Sequence, residues 1–241
     1  MAKMTLDGLT AQLVAAHGDR LTAVVLYGSA ARGEKDHVKE RSDYNVLVIV
    51  KSLRSAALRA SGAAAVAWAE AGNPPPMIMT ESEWASSRDI FAMEYADILE
   101  RHRVLAGTLP VGPSSVDPSH LRHQLEFEAM GKLIHFRRGV LACAGDPKLE
   151  LKLLAATKSA VMVLFRTLLR AHGEQAPEAP ADVVLRAAEL AGFDAAPFLE
   201  VVAHARGETT IPTSKVDAVM DAYHAGLERL VAHVDALAHT A

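Results

Sequence analysis

The chain lacks the marks of several whole classes of protein. A single cysteine, Cys143, among 241 residues leaves no intramolecular disulfide to form, which sets aside the disulfide-stapled secreted domains. No stretch reaches the ~18 consecutive apolar residues of a membrane span. The longest apolar runs, such as Ala155-Ala156 and Ala160 to Phe165, are broken by Thr157, Lys158 and Ser159. The opening MAKMTLDGLTAQLV places acidic and polar residues where a signal peptide needs an unbroken apolar stretch, so the expected address is the cytoplasm, with no membrane partner. Excess positive charge is missing too. A net charge of −4 and a pI near 6.3 give no general attraction to a polyanion, and duplex nucleic acid is not expected as the main partner.

What is present is apolar and patterned. Half of the residues are hydrophobic, enough for one large core or two modest ones. Leu6, Leu9, Leu13, Val14 and Ala16 recur at helical spacing up to Gly18 and predict a first helix. Thr22 to Tyr27 and Tyr44 to Val50 are β-branched, nearly continuous apolar runs that read as buried strands. Ser52 to Gly72 carries Leu53, Ala57, Ala60, Ala64, Ala67 and Trp68 on one helical face before Asn73 and three prolines, the pattern of a crossover helix. Met77 to Thr80 and Ile90 to Ile98 are read as two more strands, which makes a small α/β unit.

Three prolines and a glycine in LPVGPSSVDPS, Leu109 to Ser119, mark a change of regime. Beyond them strand-like runs vanish and 3.6-period segments take over, at His120 to Cys143, Leu149 to Gly173, Pro180 to Ala191, Ala195 to Arg206 and Lys215 to His239. The boundary is placed so that residues 1–113 form the first domain and 114–241 an antiparallel helical bundle.

Chemistry concentrates between the first two strands. VVLYGSAARGEKDHVKERSDYNVLVIV runs as apolar strand, Gly28-Ser29, a charged connection, Ser42-Asp43, then a second apolar strand that contains Asn45. Glycine lets a phosphate approach the backbone closely, and serine adds a hydroxyl and an N–H toward phosphate oxygens. In a strand, residues 43 and 45 point from the same face. The residues alone are equally compatible with a hairpin turn at Gly28-Ser29 and a capped strand at Asp43.

This stretch resembles the nucleotidyltransferase superfamily, the DNA polymerase β-like group that includes aminoglycoside nucleotidyltransferases. Its pattern is strand, Gly-Ser, a connection of about a dozen residues, then Ser-Asp-x-Asp opening an apolar strand. Gly28, Ser29, Ser42 and Asp43 match, and Asn45 stands where the second aspartate is expected. The resemblance implies an α+β fold, in which a small mixed β-sheet domain with flanking helices precedes an all-α antiparallel bundle. It also implies an NTP as donor, held by Gly28, Ser29 and Ser42; of the cations in the connection, Arg32, Lys35 and Lys39, Arg32 is taken as the phosphate-binding one for its proximity to Gly28-Ser29. Carboxylates would hold Mg²⁺ beside the triphosphate, with Asp43 and Asn45 as the catalytic pair and Glu94 or Asp97 as candidates for a third ligand; Glu94 is the one assigned. An asparagine oxygen brings no negative charge, so Mg²⁺ is expected to be held more weakly than by two aspartates. Two readings follow: an enzyme that transfers a nucleoside monophosphate to the hydroxyl of an unknown small or macromolecular acceptor, and a nucleotide-binding or interacting relative that has lost transfer.

The whole chain resembles bacterial predicted nucleotidyltransferases in which a helical bundle follows the catalytic-type domain. The helical half is similar in architecture to the bundle of kanamycin-type enzymes and to HEPN domains, where such a bundle shapes an acceptor pocket or forms a homodimer. Arg166 and His172 have the spacing of the HEPN ribonuclease pair, a spacing that 11 histidines and 25 basic residues also produce by chance. His120, His123, His224, His233 and His239 have no carboxylate or cysteine partner at metal-ligand spacing.

Overall fold

The computed structural model describes residues 3–32, 44–110 and 116–238. The chain divides into two compact units, Met1–Val116 and Asp117–Ala241. In the first, helix α1 (Leu6–His17) begins where the Thr5 hydroxyl accepts the Gly8 N–H at 3.1 Å, and it stops at Gly18 with φ +51°. Strand β1 (Leu21–Tyr27) and strand β2 (Asn45–Val50) follow, then helix α2 (Ser55–Glu70), strand β3 (Met77–Thr80), helix α3 (Glu81–Ser86), helix α4 (Ala92–Glu100) and strand β4 (His102–Gly107).

The sheet is mixed, in the order β3-β2-β1-β4. β1 runs antiparallel to β2 and to β4, whereas β2 and β3 are parallel. A parallel pair needs a long crossover, and α2 supplies it. The continuous apolar character of β1 and β2 reflects burial on both faces. Val24, Leu26, Val46 and Val48 pack with Leu9 and Leu13 of α1 and with Ala64 and Trp68 of α2. Ala23, Val25, Leu47 and Ile49 pack with Trp84 of α3 and with Tyr95 and Ile98 of α4.

One expected strand is corrected. Ile90 to Ile98 reads as a strand, but the chain turns at 88–90 and then forms α4. Ala92, Met93, Tyr95 and Ile98 are its buried residues, a helical and not an alternating set. The fourth strand lies further on at β4, where Arg103 and Val104 are exposed on the sheet edge.

The second unit is helical: α5 (Pro118–Cys143), α6 (Pro147–Ala171), α7 (Pro180–Ala191), α8 (Ala196–Ala205) and α9 (Val216–Ala238). Asp117 and Asp146 cap α5 and α6, each followed by proline in the first turn. The core joins Phe165, Phe193, Phe198 and Tyr223 in ring contacts between 4.4 and 5.3 Å. Gly226 allows α9 to approach Phe198, since a Cβ there would lie 2.4 Å from its ring. Among the described residues no helix is long and apolar enough to cross a membrane.

His17 supplies a test of the first unit. It is 1% exposed, and its Nε2 lies 3.3 Å from Ser61 Oγ, which donates to Ala57 O. Burial first, and the nearby Arg20 second, hold its pKa below the ordinary 6.5. The unfolded chain therefore binds the proton more readily. Stability from this site is complete above pH 6.5 and is lost as pH falls toward the lower folded value. Urea midpoints should drop between pH 7.5 and 5.5, and His17→Gln should flatten that slope.

Candidate functional site

Three strands bring their ends together beside Gly28. Tyr27, the last residue of β1, pairs with Asn45 on β2 and with His102 on β4. Directly paired residues in an antiparallel sheet share a face, so Asn45, Tyr27 and His102 lie in a row on the side that α4 covers. The entry to β2 is held from elsewhere: the Tyr44 N–H donates to Asn73 Oδ1 at 3.1 Å.

Packing of α3 and α4 sets what faces this row. Trp84 and Tyr95 stack with centroids 4.0 Å apart at 18°, and the Tyr95 hydroxyl donates to the Trp84 carbonyl. Trp84 Nε1 also donates to Pro110 O at 2.9 Å. With Tyr95 and Ile98 buried against the sheet, Glu94 and Asp97, one helical turn apart, are both close enough to act on Tyr27. Its hydroxyl pKa is raised above 10, by burial first and then by the charges of Glu94 and Asp97. Tyr27 is therefore a neutral phenol at physiological pH. In the expected strand, alternation would send Glu94 and Asp97 to opposite faces; on helix α4, i and i+3 share one.

Gly28 has φ +77°, and a Cβ built there would lie 3.2 Å from Asn45 Nδ2 and 3.9 Å from Asp97 Oδ2. Both side chains thus border the half-buried backbone at Gly28. The chain then turns through a short 3₁₀ segment, Ser29–Arg32, with the Ala31 N–H donating to Gly28 O at 3.1 Å. Ser42 and Asp43, named from the sequence as phosphate and metal residues, lie outside the described residues.

Asn45, Glu94 and Asp97 are half-buried oxygen donors, of the hard type that suits Mg²⁺ and not softer ions. Among the described residues no three His, Cys, Asp or Glu side chains cluster closely enough to hold a metal. His102, which the sequence reading did not single out, places Nδ1 2.7 Å from Ile98 O. A carbonyl only accepts, so Nδ1 carries the proton and Nε2 is the acceptor in the neutral ring. The i, i+3 spacing of Glu94 and Asp97, and the position of Tyr27 next to Gly28, were the available signals. Elsewhere, His172 places Nε2 3.0 Å from His233 Nε2, and His224 accepts from Arg137 Nε at 2.9 Å.

Two outcomes follow. The double change Glu94→Gln/Asp97→Asn should lower the Tyr27 pKa toward 10, seen as earlier phenolate absorbance in a difference titration against the parent. Gly28→Ala should destabilise the fold by about 1–2 kcal/mol for a left-handed alanine, with further cost from crowding Asn45, measured by urea denaturation.

No family model matches the chain, and no curated protein does. Among solved structures, spectinomycin adenyltransferase AAD(9) from Enterococcus faecialis, determined with ATP and spectinomycin, matches with a TM-score of 0.57 at 12% identity. The match covers 92% of this chain and 96% of that one. The likeness establishes a shared fold: a four-stranded mixed sheet with flanking helices, followed in sequence by a helical unit.

Proposed function

We propose that the chain is a nucleotidyltransferase that moves a nucleoside monophosphate from an NTP to a hydroxyl of an acceptor. One observation carries this reading: in a fold shared with an ATP-bound adenyltransferase, Asn45 and Asp97 flank the left-handed Gly28 at the end of β1. The left-handed backbone at Gly28 receives phosphate oxygens, with Ser29 and Ser42 donating hydroxyls and Arg32 pairing with phosphate charge. Asp43, Asn45 and Glu94 would hold Mg²⁺, whose charge would neutralise the triphosphate. Asp97 offsets the charge that Asn45 does not bring, and takes the proton of the acceptor hydroxyl as its oxygen bonds to the α-phosphorus and pyrophosphate leaves. Tyr27, kept neutral, remains a hydrogen-bond donor at this edge.

The neutral Asn45 favours a second reading, a nucleotide-binding relative without transfer. Both require nucleotide at Gly28, and they part on metal. Under the transfer reading, an NTP at about 100-fold its dissociation constant stabilises the protein by about 2.7 kcal/mol, and Mg²⁺ enlarges the thermal shift. Asn45→Asp should increase the Mg²⁺-dependent part, and Asp43→Ala should remove it. A shift indifferent to Mg²⁺ and to Asp43→Ala points to the binding relative; no shift with ATP, GTP, CTP or UTP sinks both.

A further inference from the structure

Helix α5 carries two apolar stripes. Leu121, Leu125, Ala129, Leu133 and Phe136 are buried in the bundle. On another side Phe127, Met130, Ile134 and Leu141 are 75%, 44%, 48% and 81% exposed. Together with His123 and Arg137 they fall at alternating spacings of four and three, the seam of a helix that packs against another helix. Beside this seam a groove of about 750 Å³ runs between α5 and α9, with Gly131, Val231 and Ala232 in its walls. A Cβ at Gly131 would meet nothing within 4 Å, so the groove is open there.

We propose that this face is the dimer interface, with α5 of a second copy lying antiparallel along the seam and the two-fold axis crossing the seam at the height of residue 132. Charge selects this arrangement. Parallel pairing would place Arg137 against its own copy and His123 against its own copy. Antiparallel pairing about residue 132 sets Arg137 against Phe127, Met130 against Ile134, and Leu141 against His123. Glu126, on the same flank of the seam as Arg137, then faces the Arg137 of the second copy. Arg137 is prepared for this role, since Nε donates to His224 Nε2 at 2.9 Å and its Nη2 to Glu228 Oε1 at 2.6 Å. A guanidinium so fixed loses little freedom when it stacks on an aromatic ring.

The area sets the strength. At 1.5 Å per residue the seam from His123 to Leu141 is about 27 Å long, and two helix widths make it about 20 Å broad. That is about 540 Å² per copy and about 1,100 Å² in all, the lower end of specific interfaces. The dimer is therefore reversible, with a dissociation constant of micromolar order.

Sedimentation across concentration should show the full chain passing from monomer to dimer. Met130→Glu and Ile134→Lys should each weaken association by at least about tenfold, because each buries an unpaired charge in the dimer. Their melting temperatures should be unchanged at dilutions where the parent is monomeric, as both positions are exposed. The decisive step is mixing the two variants. One layer of the mixed dimer then sets the introduced carboxylate against the introduced ammonium, the other layer is parental, and association should return to within a few-fold of the parent. A parent that stays monomeric at about 100 times the expected micromolar constant overturns the proposal, as does a single variant that still dimerises. Failure of the mixture to associate, with both variants folded, overturns the antiparallel register.

Discussion

The stacking of Trp84 on Tyr95 is the contact on which the candidate site depends. It fixes α3 against α4 and lets Tyr95 and Ile98 close one face of the sheet. Helical geometry does the rest, since whatever occupies positions 94 and 97 must emerge beside the end of β1. Without that packing the two carboxylates would be ordinary surface acids. With it, both add to the burial that raises the hydroxyl pKa of Tyr27, and Asp97 comes to border Gly28.

Much of the architecture was legible because it rests on periodicity. The continuous apolar runs of β1 and β2 follow from a sheet covered on both faces, and the capped helices of the second unit announce their ends through Asp117-Pro118, Asp146-Pro147 and Gly192. The failure at Ile90 to Ile98 has a local cause. FAMEYADI mixes aromatic and acidic residues so that alternate positions look apolar, while its buried set is Ala92, Met93, Tyr95 and Ile98. β4 was hidden for the opposite reason. An edge strand opening His-Arg and closing on glycine has little apolar signal, and its place is set by pairing with β1.

The site was legible only along the backbone. Gly28 and Asn45 could be named because order and spacing belong to the sequence. That Asp97 comes toward Gly28, and that His102 joins the row with Tyr27, depends on sheet register and on the packing of α4, which no linear motif records. The exposed seam of α5 shows the same limit: the two stripes of one helix are equally apolar in sequence, and only burial tells the inner one from the outer.

The hydrogen bond from Tyr44 to Asn73 bears on how such a protein can change over evolutionary time. Asn73 belongs to the turn after α2, so the start of β2 is anchored by a residue distant from the connection that precedes it. Asn45 inherits its place from that anchor and from its pairing with Tyr27. Substitutions between the two strands can therefore alter charge without altering strand register. Sequence is free to vary there on a frame that stays still.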